Sequence, residues 1–310
     1  LGKIAVTLQQ ALARRERDGA AGGMAARALA RGAGWEVADM LCTFGPRDRP
    51  FEERHAGVCI AMVVAGSFDY RAAPGRELLT PGSLLLGNTG ECFECGHRHG
   101  AGDRCIAFRY APAYFERLAA DAGVASGQLN FRGARIASQR ALSPLLARAC
   151  AGARIDSDAA TESMWDELAV ELAAATLQAA GALTRGEAGA NGPNGATLSL
   201  AKSRVAQIVR LIDDTPGAPH TLTSLAAAAG LSEFHFLRTF RRVSGVTPHQ
   251  YLLRARLRAA ALRLQDGGAK VVDIALDCGF NDLSNFNHAF RAEFAASPRA
   301  WRARGRVRRS

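Results

Sequence analysis

Apolar positions change period twice along the chain. Residues Leu1 to Arg31 read as a helix with a glycine break at Gly22-Gly23. From Trp35 to Tyr110 the spacing shortens. Apolar runs such as Val58 to Ala65 and Leu84 to Leu86 alternate with turn signals at Ala73-Pro74-Gly75, Pro81-Gly82, Gly87-Asn88 and Gly100 to Gly102. Strands at that interval predict a small antiparallel sandwich or barrel. Helical spacing returns after Ala113 and is strong from Glu162 to Ala179, where Trp165, Leu168, Leu172 and Ala175 form a stripe. Such a stripe is either core packing or a dimerisation helix, so a homodimer is among the assemblies the chain allows.

Residues 181–199 hold five Gly, one Pro and two Asn among mostly small residues, and read as a flexible linker. They divide the chain into a first domain at 1–180 and a second at 200–310. Beyond the linker every segment is helical. Ala201 to Asp214 forms a helix stopped by Pro216-Gly217. Thr221 or Thr223 caps a short helix through Ala229, and Ser232 caps the next, to about Val243. Thr247-Pro248 opens a long helix to Gln265, with proline in the first turn, where its missing N–H costs nothing. A short helix follows from Val271 to Asp277. Asn281 or Asp282 caps another through Phe294, and Ser297-Pro298 opens the last.

Charge separates the two parts. Leu200 to Ser310 carries 18 Lys/Arg against 8 Asp/Glu, while the first 199 residues hold 21 of each, so the net charge of +10 lies wholly in the second part. A neutral part followed by a basic one points to a polyanion met only by the second. No run is apolar and long enough to span a membrane, and the first residues lack the apolar core of a secretory signal. A cytoplasmic address is expected, without membrane partners. Seven scattered Cys argue against a disulfide framework.

The basic part repeats itself. Gly230-Leu231-Ser232-Glu233 matches Gly279-Phe280-Asn281-Asp282, then Phe236 matches Phe286, Phe240 Phe290, Arg241 Arg291, Thr247-Pro248 Ser297-Pro298, and Tyr251 Trp301. Each unit is a short helix, a glycine turn and a second helix, the grammar of a helix-turn-helix. Two in tandem, joined by a helix of roughly 30 Å, suit entry into successive major grooves on one face of double-stranded DNA.

These residues, with the run from Asp273-Ile274-Ala275 through Gly279-Phe280-Asn281-Asp282-Leu283-Ser284-Asn285-Phe286 to Ser297-Pro298, resemble the AraC/XylS family of transcriptional regulators. Ala295 stands where that family often has Gly; the first unit keeps Gly245. The resemblance implies a bihelical DNA-binding domain, usually an activator working with RNA polymerase, joined to a sensor or dimerisation domain. The candidate DNA-facing residues are Phe234, His235, Leu237, Arg238, Arg241 and Arg242 in the first unit. In the second they are Leu283, Ser284, Asn285, Asn287, His288 and Arg291. Position within the family pattern favours Arg238, Ser284, Asn287 and His288 as base readers, with Arg241, Arg242 and Arg291 on phosphates. Five arginines between Arg302 and Arg309 are either a nonspecific phosphate contact or a solvated tail.

A second constellation is Cys92, Cys95, His97, His99 and Cys105, spaced C-x2-C-x-H-x-H-x5-C. Cys95, His97 and His99 share strand parity, and a turn at Gly100 to Gly102 returns Cys105 opposite them. Thiolates and imidazoles in that reach suit zinc or another transition metal as cofactor or effector. Redox-responsive thiols and plain packing are the alternatives. The strand pattern and Pro81-Gly82-Ser83-Leu84-Leu85-Leu86 resemble the cupin-like sensor domain of this regulator family. The fold expected is therefore α+β: a cupin-like β-sandwich or barrel with flanking helices, a linker, and an all-α bihelical domain. The resemblance implies control by a small-molecule or metal effector. His97-Arg98-His99 also raises a metal-dependent cupin enzyme fused to a DNA-binding domain, but no P-loop, dinucleotide fingerprint or Ser/His/Asp arrangement is evident, so catalysis is not expected. An RNA-binding or architectural role is disfavoured by the paucity of aromatics available for stacking.

Overall fold

The computed structural model describes residues 3–124, 130–154, 159–186, 195–266 and 268–307. The first part comprises α1 (Lys3–Asp18), β1 (Met24–Gly32), β2 (Trp35–Cys42), β3 (Phe51–Arg54), β4 (Val58–Gly66), β5 (Phe68–Ala72), β6 (Gly75–Leu79), β7 (Leu84–Gly87), β8 (Cys92–Gly96), β9 (Asp103–Tyr110), α2 (Pro112–Asp121), β10 (Arg135–Ile136), α3 (Ser143–Gly152) and α4 (Ala159–Gly186). The second comprises α5 (Gly195–Asp214), α6 (Leu222–Ala228), α7 (Glu233–Ser244), α8 (Pro248–Asp266), α9 (Val271–Asp277), α10 (Leu283–Phe294) and α11 (Pro298–Val307).

The apolar run of β4 has no polar parity because both of its faces are covered. Val58, Ile60 and Met62 pack with Trp165, Leu168 and Leu172 of α4, while Cys59, Ala61 and Val63 pack with Phe68, Tyr70 and Leu79 of the opposite sheet. Strand β9 alternates in the same sense, with Ile106 and Phe108 toward the helices and Cys105 and Ala107 between the sheets. On β4 and β9 the larger side chains thus face the helices and the smaller ones the opposite sheet, which fills the space between with Phe68, Tyr70 and Leu79. The six-stranded sheet runs β1-β2-β9-β4-β7-β10 and the four-stranded sheet β3-β8-β5-β6, with antiparallel pairing. The expected antiparallel sandwich is present, with helices added over one face. The stripe on α4 is core of its own chain: Leu168 and Leu172 are fully buried.

Two expectations are corrected. Residues 24–32, read as part of the first helix, form β1, paired with β2 from Met24 opposite Cys42 to Gly32 opposite Trp35. The segment Met-Ala-Ala-Arg-Ala-Leu-Ala-Arg-Gly has good helix formers, but as a mostly exposed edge strand it carries no alternating signal, and pairing overrides propensity. Its arginines engage β2, Arg27 with Asp39 and Arg31 with Glu36. The segment at 181–199 is helical at both ends, since α4 runs to Gly186 and α5 starts at Gly195; residues 187–194 lie outside the described residues.

Both halves of the helical part share α8. Its first half, through Tyr251, Leu252 and Ala255, belongs to a core with α5, α6 and α7. Its second half, through Leu257, Ala260, Ala261 and Leu264, belongs to a core with α9, α10 and α11. The caps resolve as Thr221, which forms a reciprocal capping box with Ser224, then Ser232, and Asp282, which accepts from the N–H groups of Ser284 and Asn285. The caps of α7 and α10 are therefore Ser232 and Asp282, and Asn281 is an extra residue in the second turn. At the helix ends Gly245 and Ala295 both adopt left-handed backbone, with φ of 81° and 51°.

A left-handed alanine costs about 1 kcal/mol relative to glycine. Ala295→Gly is accordingly expected to stabilise the fold by about that amount, read as a higher urea midpoint at unchanged slope. A second expectation concerns pH. His55 is buried, stacks on Phe93 at 4.2 Å, lies 2.8 Å from the Tyr70 hydroxyl, and is pushed down to about 4 by burial and then by Arg109. The unfolded imidazole protonates near 6.5, so the folded state binds fewer protons between those values and loses stability as pH falls from about 6.5 to 4, by on the order of 3 kcal/mol. His55→Gln should remove that component from urea unfolding measured across this range.

Candidate nucleic-acid interface

Helix α7 buries Phe236, Phe240 and Val243, so the opposite face looks outward. Phe234, Leu237, Arg238 and Arg241, at i, i+3, i+4 and i+7, form that face and are exposed. Phe234 is 65% exposed, with the Arg238 guanidinium 5.7 Å from its ring centroid, which steadies the arginine. His235 and Arg242 flank the stripe, and the His235 ring is held by Ser232 Oγ at 2.8 Å. Helix α10 repeats the arrangement. Phe286, Phe290 and Phe294 point inward, while Ser284, Asn287, His288 and Arg291 occupy the positions of Phe234, Leu237, Arg238 and Arg241. Asn287 is half-buried; Ser284, His288 and Arg291 are exposed, and Leu283 and Asn285 stand at the flanks, also exposed. Every expected DNA-facing residue thus lies on or beside one of two outward faces. Helix α8, with 19 residues, sets a span of about 28 Å between the units it joins.

The basic surplus is not all outward. Arg256 donates to the carbonyls of Pro216 and Ala218, Arg263 pairs with Asp277 at 2.5 Å, and Arg258 lies 3.4 Å from Asp213. Others reach into the sheet domain. Arg254 donates to the Ser138 carbonyl at 2.6 Å and pairs with buried Glu293, which also accepts from Ser143. Lys202 lies 3.5 Å from buried Asp69 and donates to the Arg76 carbonyl, and Arg210 donates to the His99 carbonyl. From the other side Arg135 bridges Glu77 and the Ser244 carbonyl. The missing Cβ of Gly245 would sit 2.6 Å from Ala137 Cβ, so the end of α7 lies directly against the sheet domain. Leu78 joins the first helix-turn-helix core and Ala147 the second. None of these contacts was legible in the sequence, because each joins residues far apart in the chain.

The cysteine–histidine run is not gathered as expected. Strand β8 ends at Gly96, so the parity argument stops there, and His97 and His99 fall in the following turn. Cys92 is exposed at the start of β8, opposite Arg54. Cys95 and Cys105 are buried between the sheets. His99 faces Asp69 at 3.4 Å, whereas His97 faces Asp103 at 2.6 Å, so the two histidines turn to different carboxylates. Burial raises the thiols: Cys42 is pushed up to about 12, with Asp103 adding to the rise, and Cys95 and Cys105 also lie well above the usual range. Protonated thiols of this kind are poor nucleophiles, which weighs against the redox alternative. Among the described residues, Cys42, His97 and Asp103 do converge, all buried, with donor atoms within 4.8 Å of one another. Cys42 and Asp103 were missed because only the β2–β9 register, Cys42 opposite Asp103, brings them together.

A helix-turn-helix domain model matches residues 225–304. The chain is 31% identical over 97 residues to the regulatory protein SoxS of Salmonella typhimurium, a match covering 31% of this chain and 91% of SoxS. It is 36% identical over 107 residues to the RCS-specific HTH-type transcriptional activator RclR of Escherichia coli K12, covering 34% of this chain and 38% of RclR. A solved regulator with an AraC-type DNA-binding domain from Chromobacterium violaceum is 28% identical, over 34% of this chain and 96% of that one, with a TM-score of 0.33. The chain spans little more than a third of the length of several curated relatives it matches. Two helix-turn-helix units with matched outward faces, in a segment that spans nearly all of SoxS at 31% identity, define a DNA-binding domain of the helix-turn-helix class. The chain belongs to the AraC/XylS family.

The Arg254–Glu293 pair yields a test of the docking between parts. Glu293→Ala leaves Arg254 partly buried without its carboxylate and should cost about 3 kcal/mol of stability in urea unfolding. Glu293→Gln, which still accepts from Ser143, should cost less.

Proposed function

We propose that the chain is a sequence-specific activator whose α7 and α10 enter successive major grooves. Arg238, Ser284, Asn287 and His288 read bases, and Arg241, Arg242 and Arg291 hold phosphates. The observation that carries this reading is the equivalence of the two outward faces at opposite ends of α8. Arginine offers a bidentate fork to guanine and asparagine a matched pair to adenine, and a serine or histidine at the remaining positions contributes single hydrogen bonds. Phe234 and Leu237 supply apolar contact of the kind a thymine methyl takes. The sheet domain is read as a cupin-like sensor that changes how the helical part is presented to DNA and RNA polymerase. Support for that coupling comes from the polar contacts of Lys202, Arg210, Arg254 and Arg135 across the boundary.

With DNA selected from a random pool, Arg238→Ala should lose about 1–3 kcal/mol and relax preference at one base pair. Arg241→Ala should weaken all sequences alike and reduce the salt dependence by about one counterion. An equal loss on every sequence for Arg238→Ala would move that residue to the phosphates. Loss of sequence preference in neither Arg238→Ala nor Asn287→Ala would remove base readout from these faces.

A further inference from the structure

We propose that Cys42, His97 and Asp103 bind a divalent transition ion of zinc type, and that the site is tied to α5 of the DNA-binding part. Three kinds of donor converge on one buried point. His97 Nε2 lies 2.6 Å from one Asp103 oxygen, the Cys105 thiol donates to the other at 3.3 Å, and the Cys42 sulfur lies within 4.8 Å of the donor atoms of His97 and Asp103. A second observation concerns the other ring nitrogen: among the described residues, buried His97 Nδ1 has no hydrogen-bond partner, so no bond there fixes the tautomer against Nε2 serving as a ligand. Its ring is held instead by aromatic neighbours, Phe44 at 6.4 Å and Phe68 at 6.0 Å between centroids. Those rings exclude water from one side of the cluster and fix the imidazole plane.

The chemistry of the donors selects the ion. Thiolate, imidazole and carboxylate together suit a borderline-soft cation and not magnesium or calcium, which take oxygen shells. On binding, the Cys42 thiol gives its proton to solvent. A dication with one thiolate and one carboxylate is then electrically neutral, which is what a buried site requires. Cys105, two residues beyond Asp103 on the same face of β9, touches the Asp103 carboxylate and is not counted among the three ligands.

The site also has a route to DNA. His97 begins the turn between β8 and β9, and two residues later the His99 carbonyl accepts from Arg210 of α5 while its ring faces Asp69, which Lys202 of α5 also approaches. Helix α5 packs Val205, Ile208, Val209 and Ile212 into the core that seats Phe236 and Phe240 of α7. Drawing His97 onto an ion therefore shifts a turn that is bonded to the first helix-turn-helix unit. This last step rests on the regulator reading; the ion site does not.

Cobalt(II) chloride titrated into the full chain, purified through chelator, tests both parts. About one equivalent per chain should develop sulfur-to-cobalt charge-transfer absorption and tetrahedral visible bands, displaced by zinc. Cys42→Ser and Asp103→Asn should weaken binding by more than about tenfold, and Cys92→Ser should match the parent. His97→Gln carries the same comparison if circular dichroism shows Cys42→Ser unfolded. Absence of the sulfur band, or a band lost in Cys92→Ser and kept in Cys42→Ser, would overturn the site. Zinc should also shift affinity for pool-selected DNA by about fivefold, and Arg210→Gln should abolish that shift at unchanged metal stoichiometry. Full metal binding with unmoved DNA affinity would overturn the coupling. Failure to select any DNA sequence would instead strike the regulator reading and leave the cobalt result standing.

Discussion

Burial of α8 from both ends of its length is the constraint on which the helical part depends. Tyr251, Leu252 and Ala255 close one core while Leu257, Ala260, Ala261 and Leu264 close the other. A single continuous backbone hydrogen-bond ladder therefore fixes the distance between two otherwise separate cores. The Tyr251 hydroxyl donates to Asp213 at 2.6 Å, and the Trp301 indole donates to the Ala261 carbonyl, so each core is also pinned by a polar bond from its largest residue. Relative motion of α7 and α10 would have to bend this helix or vacate one of its cores, and each fully buried large side chain contributes roughly 1.5–3 kcal/mol against that.

The charge of the helical part serves two ends. Arginines on α7 and the last turn of α10 face solvent, whereas those on α8 turn inward and satisfy carbonyls and carboxylates. Guanidinium is suited to this because its planar fork can meet several oxygens at once and its aliphatic stem packs against apolar surface. A surplus of positive charge read from composition consequently overstates the surface offered to a polyanion. Arg254 illustrates the point: its charge is met by Glu293, and it donates to the Ser138 carbonyl of the sheet domain.

What could be read in the sequence was whatever is local or repeated. The units at Gly230 and Gly279, their caps, the Pro248 start of the long helix and the outward positions on α7 and α10 follow from spacing of a few residues, and the structure places them accordingly. Strand β1 was hidden because an edge strand of alanine and arginine carries no period-two signal. The convergence of Cys42 with Asp103 was hidden because strand register depends on pairing across 60 residues, which no local pattern encodes. The His97-Arg98-His99 run shows the opposite limit: alternate residues share a face only while a strand lasts, and the end of β8 at Gly96 sends the two rings to different carboxylates.

The two outward faces are equivalent in position but not in chemistry. One presents Phe234, Leu237, Arg238 and Arg241, the other Ser284, Asn287, His288 and Arg291, and the second turn is longer by Asn281. A reader built from unlike halves on a rigid bar has polarity. Under the proposed reading, such a surface would distinguish a stretch of duplex from the same stretch reversed, so one copy of the chain would give its binding site a direction and set which way the sheet domain points along the DNA.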